Sequence, residues 1–261
     1  MTRHFGLAAL TVLELPPAEQ VSVAAEAGYD DVGLRLIPVA GQAIVHAFDV
    51  AEIEARLAAT GVRVLDVEVF RLDPETRVAG FEVMMAAAQR LGAKHLLAHG
   101  ADADASRLAD NFGRLCDLAA PYGLAVNLEP MPWVEVSTVA KATRLLASAG
   151  RKNSAPLVDP IHFFRADNRL EELRGLSFNY LQFCDARAER PVEHKELMRQ
   201  AREDRMLPGE GGLDLAGLMR ALPADLPMSI ELPLARKLEP AKRARLVLDA
   251  TRDFLERNGI S

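Results

Sequence analysis

Short apolar runs alternate with longer amphipathic stretches along the chain. Phe5–Leu10 is the first run; Pro16 and Pro17 then open a helix packed by Ala24, Ala25 and Ala27 and stopped by Gly28. The second run, Asp31–Leu36, precedes a helix through Ala51–Thr60 that Asp49 can cap and Gly61 can close. Val62–Phe70 is the third, and Asp73-Pro74-Glu75 opens a helix through Leu91 that Gly92 stops. The fourth is Lys94–Ala98, with a helix from Ala103 to Ala120; the fifth is Leu124–Leu128, with Ser137 capping a helix to Ala149. The sixth, Ala155–Val158, leads to a short helix near Asn168–Arg174. The seventh, Tyr180–Cys184, returns through a polar stretch from Arg187 to Arg205 and a helix at Leu213–Ala221. The eighth, Met228–Leu232, is followed by a last helix from Pro240 to about Arg257.

Eight runs that each lead into a helix imply a parallel sheet, because parallel neighbours need crossover connections. The chain has 261 residues, close to the ~250 of one barrel. The fold expected is therefore α/β, a single (β/α)₈ TIM barrel forming one domain over residues 1–261. An open doubly-wound sheet is the runner-up, and it usually carries a glycine-rich phosphate turn after its first strand. Thr11-Val12-Leu13-Glu14-Leu15-Pro16 contains none.

Charge narrows the function. A net charge of −6 offers no basic field for nucleic acid. No stretch approaches the ~18 apolar residues of a membrane span. The two cysteines, Cys116 and Cys184, lack CxxC spacing, which suits reduced thiols. With no clear signal-peptide cleavage site near the N-terminus, a cytoplasmic location is expected.

In a barrel the active site lies at the C-terminal ends of the strands. The fifth run ends in Glu129, the sixth in Asp159, the seventh carries Gln182 and the eighth ends in Glu231. Singly, each has an ordinary explanation: a solvated or capping Glu, a turn Asp before Pro, a hydrogen-bonded amide. Together, three carboxylates on neighbouring strands would repel one another if buried unpaired. A divalent cation resolves that repulsion, and an oxygen-dominated shell suits Mn²⁺ or Mg²⁺.

These residues carry a resemblance. Leu128-Glu129-Pro130, Asp159-Pro160-Ile161-His162, Gln182 to Ala186, Pro208 to Leu215 and Ser229 to Pro233 look like the xylose-isomerase-like barrels, which include sugar phosphate isomerases/epimerases, ketose 3-epimerases, inosose dehydratases and hydroxypyruvate isomerases. The resemblance implies divalent-metal ligands at Glu129, Asp159, Gln182 and Glu231. Gln182 stands where a His is commonest, which favours Mn²⁺ or Mg²⁺ over Zn²⁺. It also implies that His162 contacts substrate oxygens, that Glu135 is a further site acid, and that Gly209-Glu210-Gly211 is the turn after the seventh strand.

By position Arg35, Glu68 and His99 can also face a substrate. Trp133 can wall a sugar-like pocket, and Arg187 can meet an anionic or hydroxyl group. Each has an alternative: an ion pair for Arg35, an inner-layer acid for Glu68, a loop histidine for His99, packing for Trp133, an exposed surface for Arg187. The polar stretch Glu189–Arg205 reads as a solvated surface helix, with a lid as the alternative. The chemistry implied is metal-dependent isomerisation or epimerisation of a keto-sugar or related polyhydroxy carbonyl compound through an enediolate, with Glu129 and Glu231 moving the proton. Loss of water, as in an inosose or dehydroshikimate dehydratase, starts from the same enediolate. A non-catalytic metal-binding barrel subunit of a complex is the alternative of another class. The abasic-DNA endonucleases of the superfamily use several histidines at a trinuclear zinc site. Here few of the six histidines fall near strand ends and the chain is acidic, so neither nucleic acid nor membrane is an expected partner. A homo-oligomer is compatible with the sequence.

Overall fold

The strands are β1 (Phe5–Leu7), β2 (Asp31–Arg35), β3 (Arg63–Leu72), β4 (His95–Gly100), β5 (Ala125–Leu128), β6 (Ser154–Pro156), β7 (Leu181–Phe183) and β8 (Met228–Ile230). The helices are α1 (Pro17–Ala27), α2 (Val50–Thr60), α3 (Glu82–Arg90), α4 (Ala105–Ala119), α5 (Val139–Ala149), α6 (Pro160–Arg165), α7 (His194–Glu203), α8 (Leu215–Ala221) and α9 (Pro240–Arg257). These come from a computed structural model that describes residues 3–38 and 46–260.

All ladders are parallel, in the order β6-β5-β4-β3-β2-β1-β8-β7. The two ends of that order meet where Gln182 N–H, in β7, donates to the Val158 carbonyl, two residues past β6, at 2.9 Å. The fold is the (β/α)₈ barrel expected. Its large apolar core lies between the sheet and the helices. A second, small cluster of Leu65, Val69, Leu97, Leu157 and Tyr180 is separate from it. Val69 and Leu97 also line the main cleft, so this cluster packs beneath that cleft.

Local signals account for most boundaries. Gly28 and Gly61 close α1 and α2 in left-handed conformations, at φ 87° and 75°. Asp49 caps α2 by accepting from Ala51 N–H at 2.8 Å, as its position suggests.

Among the boundaries that differ from the sequence pattern, four stand out. The first strand ends at Leu7, and Ala9–Val12 form a 3₁₀ turn. Thr11 Oγ1 causes this by donating to Ile230 O at 2.9 Å and accepting from Leu232 N–H at 2.8 Å. Asp73 does not open a helix. Its N–H bonds to Thr76 Oγ1 at 2.8 Å, closing a turn, and α3 begins only at Glu82. Thr138, not Ser137, caps α5, accepting from Lys141 N–H at 3.2 Å. After β6 the chain enters α6 at once, with Pro160 in its first turn, and the stretch near Asn168–Arg174 forms only a 3₁₀ turn.

Candidate active site

Backbone bonds at the strand ends and one helix cap place four side chains on one rim. Glu129 N–H bonds to Ala98 O at 3.0 Å, Gln182 N–H to Val158 O at 2.9 Å, and Glu231 N–H to Phe183 O at 3.1 Å. Asp159 is fixed as the cap of α6, its Oδ1 accepting from Ile161 N–H at 3.0 Å. Side chains alternate faces along a strand. Gln182 pairs in register with Ser229, so Glu231, two residues on, shares its face. Likewise Leu97 pairs with Asn127, which brings His99 level with Glu129. All four rim residues are buried.

Arg205 lies among them and is buried too. Its Nη1 is 2.7 Å from Asp159 Oδ2 and its Nη2 is 2.5 Å from Glu231 Oε2. Nη1 also reaches Glu231 O at 3.1 Å, and Nε donates to Ala201 O at 2.7 Å. Gln182 Nε2 donates to Glu231 Oε1 at 3.1 Å. His99 Nε2 lies 2.6 Å from Glu129 Oε2. His162 Nε2 sits 3.7 Å from Glu129 Oε1 and 3.8 Å from Asp159 Oδ2. Trp133 meets the His162 ring edge-on, with centroids 4.9 Å apart.

Burial sets the electrostatics. It drives Glu129 well above the usual carboxylate range, with the Asp159 charge adding to the effect. It drives Glu231 up as well, against the pull of Arg205. Burial also works against the charge on Asp159, yet the Arg205 guanidinium holds its carboxyl low. Burial opposes charge on Arg205, and the two carboxylates keep it cationic. Burial pushes both His162 and His99 down to about 3, so each imidazole is neutral near pH 7.

The donor chemistry fits a hard divalent cation. Glu129 Oε1 and Gln182 Oε1 are buried acceptors with no hydrogen-bond partner among the described residues, an arrangement that costs free energy unless something fills it. Ligand atoms of Glu129, Asp159 and His162 lie within 4.8 Å of one another. Glu231 lies outside that grouping, and its two oxygens are held by Arg205 and Gln182.

Of the other residues singled out in the sequence, Arg35, Glu68, His99, Trp133 and His162 line the same cleft. Arg35 and Glu68 form a buried ion pair there, at 2.7 Å. Two residues do not join them. Glu135 is exposed on a separate groove beside Lys141 and Arg144. The bond from Val136 N–H to Gly100 O, at 3.0 Å, turns Val136 inward and its neighbour out. Arg187 is half exposed and pairs with Asp204 at 3.0 Å, away from the cleft. Sequence reasoning missed Arg205, Arg202 and Arg71, all of which line the cleft. Asp185 has a structural task. Its carboxylate accepts from the N–H groups of Gly209, Gly211, Ala186 and Leu213, which shapes the Gly209-Glu210-Gly211 turn. A Cβ on Gly211 would run into Ala186 O and Asp185 Oδ1.

A parallel barrel with a buried acid cluster at its strand ends defines the class. The chain belongs to the xylose isomerase-like TIM barrel family, whose model matches residues 21–254. A 3-dehydroshikimate dehydratase of Pseudomonas aeruginosa is 30% identical over 132 residues, 48% of this chain and 20% of that protein. An inosose isomerase of Bacillus velezensis is 26% identical over 157 residues, 56% of this chain and 54% of its own length. The chain therefore spans a fifth of the first relative and about half of the second. Among solved structures, the zinc-bound IOLI protein matches with a TM-score of 0.78 at 19% identity, covering 98% of this chain and 99% of that one. A D-allulose 3-epimerase from Methylomonas sp., solved with D-allulose, matches at 0.71 and 18% identity, covering 96% of each chain. No helix among the described residues is long and apolar enough to cross a membrane.

Proposed function

We propose that this barrel is an enzyme that removes a proton beside the carbonyl of a small polyhydroxy compound, assisted by a divalent cation. The observation that carries this reading is the pair of orphaned buried acceptors, Glu129 Oε1 and Gln182 Oε1, beside the carboxylates of Asp159 and Glu231. Glu129, Asp159, Gln182 and Glu231 would hold the cation, with His162 adjoining. When bound, such a cation polarises a carbonyl and stabilises the negative charge that develops as the proton leaves. The chain's own residues do the rest. Glu129 and Glu231 stand on different strands, and each can take or return a proton. Neutral His162 orients a substrate oxygen, and Trp133 closes one wall against water. The relatives named as inosose isomerase and D-allulose 3-epimerase support isomerisation or epimerisation.

A second reading, dehydration of an anionic substrate, has its own support. Arg202 lies half-buried at the cleft mouth, and no hydrogen bond or ion pair reaches it from the described residues. Burial, together with the Arg35 and Arg71 charges, lowers its pKa. A carboxylate on the substrate would relieve that crowding of cations. The relative named as 3-dehydroshikimate dehydratase points the same way.

The test is an assay panel of neutral inososes and keto-sugars against 3-dehydroshikimate, with chelated and reloaded protein. Turnover is expected to vanish on chelation and to return better with Mn²⁺ or Mg²⁺ than with Zn²⁺, because an amide oxygen replaces imidazole at Gln182. Zinc alone, tightly held in freshly purified protein, would overturn that preference. Turnover undiminished after complete chelation would overturn the metal-assisted reading. Conversion of 3-dehydroshikimate alone would decide for dehydration.

A further inference from the structure

Arg205 occupies the position from which Asp159 and Glu231 could both be ligated. Its two terminal nitrogens bridge Asp159 Oδ2 and Glu231 Oε2 at 2.7 and 2.5 Å. The remaining oxygens of those two residues are also engaged. Asp159 Oδ1 accepts from Ile161 N–H and Glu231 Oε1 from Gln182 Nε2. While Arg205 stays, the rim oxygens with no hydrogen bond among the described residues are Glu129 Oε1 and Gln182 Oε1, with His162 Nε2 3.7 Å from the former. Those groups are a thin shell for a hard cation that takes six or more ligands. A fuller shell needs the very oxygens that the guanidinium holds. Two cations on one pair of oxygens would also repel strongly at such short range in a dry site.

We propose that Arg205 is a built-in counter-cation that trades places with the metal. In the metal-free protein it neutralises Asp159 and Glu231 and keeps them converged. Metal entry displaces the guanidinium from both carboxylates. The inference rests on the metal reading above, and it adds a cost to metal binding that the acids alone would not impose. It would also stabilise a barrel with three buried carboxylates when no metal is bound, because removing one partner of a buried ion pair is strongly destabilising.

The arrangement makes opposite predictions for the two states of the site. If Arg205 competes with the metal, replacing it strengthens metal binding while weakening the metal-free fold. If Arg205 only orients the acids for the metal, the same replacement weakens metal binding.

The experiment is calorimetric titration of Mn²⁺ into metal-free wild type and R205M, with thermal melts of both with and without Mn²⁺. Exchange predicts that Mn²⁺ binds R205M more tightly by about tenfold or more, the order expected when a competing charge-assisted bond is removed. It also predicts a lower melting temperature for metal-free R205M and a larger rise on adding Mn²⁺. A second measurement needs only wild type and serves if R205M does not fold without metal. Arg205 Nε–H is buried against Ala201 O, so it should give a slowly exchanging NMR signal in arginine-labelled protein. Saturating Mg²⁺ should shift that signal or expose it to exchange. Equal or weaker Mn²⁺ binding by R205M overturns the exchange and leaves the metal reading standing, as does an Arg205 signal unmoved at Mg²⁺ saturation. Failure of both proteins to bind Mn²⁺ overturns both.

Discussion

His99 Nε2 lies 2.6 Å from Glu129 Oε2, while Glu129 Oε1 has no hydrogen-bond partner among the described residues. Burial keeps His99 neutral, so its Nε2–H can donate. One carboxylate oxygen is thereby anchored and the other left toward Asp159 and His162. His99 thus sets which lone pairs of Glu129 face the site.

Removing the His99 donor should therefore disturb turnover more than binding. H99L is expected to lower kcat by roughly 10- to 100-fold, the cost of losing a supporting partner at a metal or catalytic site. H99Q keeps an N–H donor and should recover part of that loss. Steady-state kinetics check this; equal kcat values for wild type and H99L would remove the orienting role.

The turn after β7 depends on Asp185 in the same way. Its carboxylate accepts from four backbone N–H groups. D185A leaves those donors without their acceptor and should cost about 3 kcal/mol or more, since each buried unsatisfied group costs ~1–3 kcal/mol. Denaturant unfolding of D185A against wild type measures it. G211A should destabilise by a similar route, by pushing Asp185 away.

The sequence disclosed the barrel because its apolar runs and Gly, Pro and Asp caps are local signals. α9 begins and ends where its pattern does. The rim residues were legible once the strand order was known, because a strand end is a fixed place in this fold. Arg205 was not legible. Arg199, Arg202 and Arg205 recur every three residues in one polar stretch. Arg199 pairs on the surface with Glu196 and Asp204, whereas Arg205 is buried between two strand ends. Only tertiary placement separates them. Glu135 failed for a related reason. Its distance from Glu129 along the chain says nothing about which way the loop turns it, and Val136 takes the inward position.

Below the cleft, Asp66 gives a pH dependence. Burial raises its pKa to about 7, with Glu68 adding and the Tyr180 hydroxyl, 2.6 Å away, opposing. The folded pKa exceeds the unfolded value of about 3.9, so between the two the folded state binds the extra proton. Stability from this group is present below about pH 4 and is lost as pH rises toward 7. D66N stays neutral and keeps an acceptor for Tyr180. It should melt higher than wild type at pH 8, with the difference shrinking toward pH 4. A constant difference across that range would show that Asp66 is not the titrating group.

The sharpest test of the chemistry is Glu231. Its Oε2 faces Arg205 and its Oε1 accepts from Gln182, so glutamine at this position keeps the shape and an oxygen but loses the basicity. E231Q should lower kcat by roughly 10²–10⁴-fold, the usual worth of general acid–base catalysis, while KM moves little. His162 gives the contrasting case, because an imidazole held neutral by burial positions an oxygen without carrying the proton. H162N should therefore weaken binding and turnover together. The proton itself can be followed by running wild type in deuterium oxide and weighing recovered substrate and product by mass spectrometry. Proton abstraction beside a carbonyl predicts deuterium at that carbon, and E231Q should slow its entry in step with turnover. Conversion of an identified substrate with neither deuterium entry nor an isotope effect would point to a hydride shift, and Glu231 would lose its role as acid or base.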